Sequence, residues 1–270
     1  MEKIGYRRAP SQAPDESVIT TAPDVTACCT GAYCAHVETM STLSVLHEDN
    51  HILALDKAAG MLTQAAEAGD ENCLDLAREY IRERYDKTGR VYLGLVHRLD
   101  RNVSGVVVFA RTSKAASRLS LAFAERRVAK HYLAVVEGEA LDEASLEHRL
   151  GPRAEGRGVC EREDGKEARL RYRCLARSGG RSWLEVRLET GRKHQIRAQL
   201  ALAGLPMVGD PLYGSLERSL RRPALHSWWL GLQHPIGDRG ALVLTAPVPP
   251  DLAKLVSASG WSLPDEPSLE

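Results

Sequence analysis

The chain has 270 residues, with 36 basic and 36 acidic side chains that cancel, and it is 43% hydrophobic and 27% charged. That composition excludes wholesale disorder and supports one large domain or two modest ones, while a net charge of zero gives no global argument for a nucleic-acid partner. No apolar run approaches the ~18 residues a membrane-spanning helix needs, and cysteines at 28, 29, 34, 73, 160 and 174 are too sparse for a disulfide-stapled scaffold.

Residues 1–40 mix Pro, Ala, Ser, Thr and acids without a sustained hydrophobic period, and are expected to form a flexible leader. They carry Asp15, Glu16 and Asp24 and no basic-then-apolar signal, which points to a cytoplasmic protein. Cys28, Cys29, Cys34 and His36 fit no familiar zinc spacing. Patterned sequence starts near Leu43, where Leu43–Leu46 and Ile52–Leu55 flank the polar turn Glu48-Asp49-Asn50 and predict a hairpin. Leu74, Ala77 and Ile81 share one face of a helix over 74–85. Gly105–Ala110 is β-branched and apolar, as a buried strand should be. A helix capped by Thr112 or Ser113 follows, with Ala115, Leu119, Ala122 and Phe123 on one face. Lys130–Gly138 alternates like a strand, and residues 151–166, with four Gly and many charges, predict an exposed loop. In Trp183–Glu189, Leu184, Val186 and Leu188 alternate with Glu185, Arg187 and Glu189, predicting a strand half-buried on one side. His194–Ala203 has a helical period closed by Gly204. Residues 259–270 are Pro- and acid-rich and are expected to fray. Grouped strands with interspersed helices favour an α+β class.

Several common sites are missing from the sequence: there is no GxGxxG, GxxxxGK[ST] or GxSxG. Polar residues gather instead in short blocks beside apolar strands. His97-Arg98-Leu99-Asp100-Arg101-Asn102-Val103-Ser104-Gly105 sets a carboxylate between two arginines, either a salt-bridged turn or a nucleophile or base held ionised. Tyr132, in Lys130–Gly138, is either a core-edge aromatic or a ring presented to a flat ligand. Gly191-Arg192-Lys193-His194-Gln195-Ile196-Arg197 puts cations at a helix N-terminus, an unfavourable place without an anion nearby. Between Arg90 and Tyr132 nine Lys and Arg face two acids, a window that reads alone as a solvated face. Gly209–Gly214 reads as a turn. His194, His226 and His234 lack the spacing of a known metal site, so no metal is expected.

Taken together, the blocks resemble the RluA-type pseudouridine synthases. HRLDRNVSG resembles their HRLDxxTSG signature and KHYLAVVEG their tyrosine-bearing strand. GRKHQIRAQLALAGLPMVGDPLYG is similar to GRxHQIRxHL…GxPxxGDxxYG, LHSWWLGLQHP to the closing LHA…L.F.HP pattern, and LHEDNHILALDKAAGMLTQ to the opening strand pair. Five blocks in family order between about Leu43 and Pro250 make the resemblance specific. It implies a catalytic domain over 41–258, built on a mixed, mainly antiparallel central sheet with flanking helices and loops. It also implies RNA uridine-to-pseudouridine isomerisation with tRNA or rRNA as partner. Breaking N1–C1′ and joining C5 to C1′ conserves atoms and oxidation state, so no cofactor is expected.

By the same resemblance Asp100 is the catalytic carboxylate, Tyr132 stacks on the base, and Arg197 pairs with Asp100. Arg98 fills the stack left by the flipped uridine, whose extrusion costs a few kcal/mol. His97, Arg101, Arg126, Arg127, Lys130, Arg192 and His194 then become RNA-contact candidates, with the basic window as a phosphate surface. The sequence departs from the family pattern at Ala58 (for proline), Asn102 and Val103 (for an acid and threonine) and Gln199 (for histidine). No S4-type RNA-binding domain is recognisable in residues 1–40, and no block suggests a dimer seam, so a monomer is expected. The alternative from another class is a non-catalytic RNA-binding or RNA-folding module on the same scaffold; a metal-dependent hydrolase using the histidines is a distant third.

Overall fold

The computed structural model describes residues 43–67 and 69–269. The leader, with its cysteines, lies outside the described residues. In chain order the elements are β1 (Ser44–Glu48), β2 (Ile52–Lys57), α1 (Cys73–Arg84), β3 (Gly94–Leu95), β4 (Ser104–Ala110), α2 (Ser113–Ala124) and β5 (Ala129–Glu137). Then come β6 (Glu143–Pro152), β7 (Val159–Glu161), β8 (Lys166–Ser178), β9 (Arg181–Leu188), α3 (Gln195–Leu202), β10 (Leu225–Gln233), β11 (Ala241–Thr245) and α4 (Pro250–Ala258). The strands form one sheet in the order β1-β2-β4-β10-β5-β9-β8-β6-β7, with β3 beside β4 and β11 beside β10. Among the described residues every named strand pair is antiparallel except β4 with β10, where Ser104 and Gly105 meet His226 and Ser227. The mixed, mainly antiparallel α+β fold expected from the sequence is the fold observed.

Local chemistry sets the element ends. Asn72 accepts from the Asp75 amide through Oδ1 and starts α1, and Thr112 accepts from the Ala115 amide and starts α2, satisfying amides a helix leaves unpaired. The apolar run of β4 is buried on both faces: Leu53, Leu55, Val107 and Phe109 pack with Ala77 and Ile81 of α1 on one side. On the other side Val106 and Val108 pack with Ala115, Leu119 and Ala122 of α2. That double cover is why the strand reads as a continuous Val-rich run. Leu133, Leu184 and Val186 build the second half of the core with Ile196 and Leu200 of α3 and Leu252 and Leu255 of α4.

Gly105 is where β4 and β10 converge. Its φ is +115°, and a Cβ there would lie 2.1 Å from the Ser227 carbonyl oxygen. Gly105→Ala is therefore expected to lower stability by about 2–4 kcal/mol, from strain plus overpacking. Urea denaturation checks this; a loss under about 0.5 kcal/mol would mean the strands separate easily.

Three local expectations are corrected. Residues 151–166 are not one exposed loop, because Val159–Glu161 pairs with β6 and Val159 is buried. The polar side of β9 is not all solvated: Glu185 is 0% exposed. Its carboxylate takes His131 Nδ1 at 2.8 Å and the amides of Ser268 at 2.9 Å and Leu269 at 3.3 Å. The tail expected to fray is thus fixed to the sheet, with Arg173 also donating to the Ser268 carbonyl. A buried carboxylate needs such donors, and the chain end supplies them.

Candidate active site

A cleft of about 720 Å³ opens across the middle of the sheet, lined from β5 by Lys130 and Tyr132, from the loop before β4 by His97–Asp100, and from the β9–α3 connection and the first turn of α3 by Gly191–Arg197. Arg197 organises it. Only 8% exposed, its guanidinium grips Asp210 bidentately (Nε to Oδ2 at 2.6 Å, Nη2 to Oδ1 at 2.8 Å). The remaining nitrogen, Nη1, reaches Asp100 Oδ2 at 3.3 Å. Burial works against the arginine's charge, but the Asp210 hydrogen bonds and the two carboxylates outweigh it and raise its pKa. Arg197 does meet Asp100, as the sequence suggested, yet its tighter partner is Asp210, which the sequence reading treated as part of a turn.

Gly209 makes that placement possible. At φ +76° it has no room for a side chain, since a Cβ would sit 2.2 Å from the Arg222 carbonyl oxygen, and the chain turns there to bury Asp210 to 1% exposure. Tyr213, one turn later, packs its ring 5.0 Å from the Arg197 guanidinium and accepts from the Val159 amide. His194 has φ +52°, an outlier at a bulky residue of the kind that gathers at functional sites. Its Nδ1 bonds the Tyr213 hydroxyl at 3.0 Å and its Nε2 lies 3.7 Å from Asp100. Burial lowers the His194 pKa, opposed by Asp100.

Asp100 lines the cleft and is partly exposed, its carboxylate met by Arg197 and His194. Across from it Tyr132 is buried, and burial pushes its phenol up to about 12 while a hydrogen bond with Ser227 pulls the other way. Near neutral pH it is a neutral ring with a hydroxyl, suited to stacking and not to acting as a phenolate base. Arg98 is exposed at the rim.

The structure divides the RNA-contact candidates. Arg98, Arg126, Lys130, Arg192 and His194 line the cleft, joined by Lys193, which the sequence reading did not single out. Arg101 turns away to the Gly60 carbonyl and Arg127 pairs with Glu125, so neither lines it. His97 lines it in another role: its Nε2 accepts from the Val108 amide at 2.9 Å and its ring stacks on Phe123 at 4.6 Å. Burial, helped by Lys130, pushes its pKa down to about 3, so it is a neutral wall and not a cation for phosphate. The three histidines weighed as a metal site sit in separate networks: His194 at Asp100, His226 on Ser104, His234 on Asp49. Among the described residues no cluster of three metal-ligating side chains exists.

Lys57 is a further residue that the sequence reading missed. Fully buried, it donates to the carbonyls of Ala58, Met61 and Arg101, tying the loop after β2 to the one that carries Asp100. The signal was a lysine ending an apolar strand, which alone is indistinguishable from a solvated strand end. Gln199, standing where the resemblance has histidine, is 0% exposed and donates to the Leu146 and Ala168 carbonyls, fixing α3 against β6 and β8.

Lys130 offers a pH test. Burial, then Arg126, pushes its ammonium down to about 8. It is charged below that value and neutral above it, so affinity for a polyanion is expected to weaken as pH rises from about 7 to about 9. Bound phosphate favours the charged form and moves the midpoint upward. Binding measured across pH for the wild type and Lys130→Arg checks this, because arginine keeps its charge and should flatten the curve; parallel losses in both would rule Lys130 out.

Comparison with known proteins agrees with this geometry. The RNA pseudouridylate synthase family model matches residues 51–202. The chain is 36% identical over 231 residues to ribosomal large subunit pseudouridine synthase D of Xanthomonas campestris pv. campestris, spanning 80% of this chain and 69% of that protein. It is 34% identical over 231 residues to the Pseudomonas aeruginosa protein of the same name, spanning 80% and 71%. Its fold is similar to that of human RNA pseudouridylate synthase domain containing 4, with a TM-score of 0.69 at 20% identity over 82% of this chain and 95% of that one. Motifs in family order, the matching sheet and identity along most of the chain converge: this protein belongs to the RNA pseudouridylate synthase family and is an isomerase of uridine in RNA.

Proposed function

We propose that the enzyme modifies large-subunit ribosomal RNA, with Asp100 as its catalytic carboxylate, Tyr132 as the surface for the uracil ring and Arg197 as the group that holds Asp100 in place. The observation that carries the site assignment is the Arg197 bridge. One buried guanidinium is locked on Asp210 and leaves a single nitrogen for Asp100, so the carboxylate is aimed without being consumed by a full ion pair. The names of the two bacterial relatives support ribosomal RNA over tRNA.

In this reading the cations at the rim hold phosphates, and Arg98 enters the stack as the uridine leaves it. Asp100 acts at the ribose as N1–C1′ breaks, either on C1′ or on a ribose proton. The detached uracil turns against Tyr132, C5 joins C1′, C5 loses its proton and N1 gains one. Tritium release from RNA labelled at uridine C5 reports that step. The expected result is release from large-subunit ribosomal RNA taken from cells lacking the enzyme, and none from bulk tRNA. Release from tRNA alone would overturn the substrate assignment. RNA binding without release from either would favour the binding-module reading.

A further inference from the structure

Arg126 occupies the position after α2 where a helix end favours glycine, with φ +60° and its amide bonded back to the Phe123 carbonyl. A long cationic side chain held in that backbone well is an outlier that calls for a purpose. Its guanidinium leaves the turn and donates to Glu167 Oε2 at 3.3 Å, on the first residues of β8. The Glu167 carboxylate also lies 3.1 Å from Arg169, and its backbone carbonyl accepts Arg192 Nε at 2.9 Å. Arg126 and Arg192 both line the cleft, one from the α2 side and one from the β9–α3 loop. Glu167 therefore joins two cations that enter the cleft from different elements.

We propose that Glu167 is a substrate-discriminating latch: in the free enzyme its carboxylate stands in for an RNA phosphate on Arg126, and a phosphodiester of the bound RNA displaces it. The proposal rests on reading the cleft as the RNA site. A carboxylate and a phosphate present arginine with the same kind of charged acceptor, so the two compete for one guanidinium. Exposure decides the strength of the latch. Arg126 is 42% and Glu167 48% exposed, which makes the pair weak enough for a correctly placed phosphate to break. RNA that offers no phosphate at this point leaves the latch closed and forgoes the Arg126 contact.

The test is a double-mutant cycle on the full chain, with wild type, Glu167→Gln, Arg126→Gln and the double variant. Each is titrated against a uridine-containing ribosomal stem-loop over a range of salt, with tritium release measured alongside. Glu167→Gln is expected to tighten binding by about two- to fivefold and to steepen the salt dependence, as one more guanidinium becomes free to release counterions. In the Arg126→Gln background the same change should have no effect. An equal gain in both backgrounds would mean that Glu167 acts only through general charge, and no gain in either would mean that the pair does not compete with RNA; both overturn the latch. A wild type that neither binds nor turns over RNA would instead sink the reading of the cleft, and the latch with it.

Discussion

Asp100→Asn is expected to cut tritium release by at least ~10³-fold, because a neutral amide can neither attack C1′ nor accept a ribose proton. Three features argue that the loss will be specific. Asp100 is partly exposed, so the isosteric change leaves no buried charge behind. Arg197 keeps both of its short bonds to Asp210 and stays in place. Removing a negative charge from a cleft lined by Arg98, Arg126, Lys130, Arg192 and Lys193 cannot repel RNA. RNA affinity should then match or exceed that of the wild type, with an unchanged melting temperature. Turnover within tenfold of the wild type would remove Asp100 from the chemistry.

Asp210→Ala should act on stability and activity together. The carboxylate is 1% exposed and its partner 8%, so the substitution leaves a buried guanidinium with one longer hydrogen bond, to Asp100, beside the Tyr213 ring. Breaking one side of a buried pair costs about 3–5 kcal/mol, which lowers the melting temperature by roughly 10 °C in a domain of this size. Turnover should fall further than folding explains, because a released Arg197 can collapse onto Asp100 and occupy it. Asp210→Leu combined with Arg197→Met separates the two effects: removing both charges should restore much of the stability and none of the activity. Recovery of activity in that double variant would show that Arg197 has no part in positioning Asp100.

Much of the framework was legible in residue order because it depends on neighbours close in sequence. The Thr112 cap, the Leu184–Val186–Leu188 alternation, the Gly204 helix stop and the apolar run after Gly105 each place an element correctly from local preference alone. The chemistry-bearing blocks were legible too, since Asp100, Tyr132 and Arg197 sit in short motifs whose resemblance to a family needs no coordinates. Other features depend on partners far along the chain. Glu185 has the spacing of a solvated strand position, but His131 and Ser268 enclose it, from 54 and 83 residues away. Arg101 and Arg127 belong to the same basic window as Arg126 and Lys130, yet they point elsewhere, because the turn and strand geometry around each decides which cation faces the cleft. Residue order alone was enough for the family, for the elements with a clear local period and for Asp100 as the proposed catalytic carboxylate. That Asp210 is the counter-ion of Arg197, and that Glu167 spans two cleft arginines, emerges from the folded arrangement and not from residue order. Those pairings arise when sheet order and helix packing bring distant side chains together, and burial then requires every charge among them to find a partner.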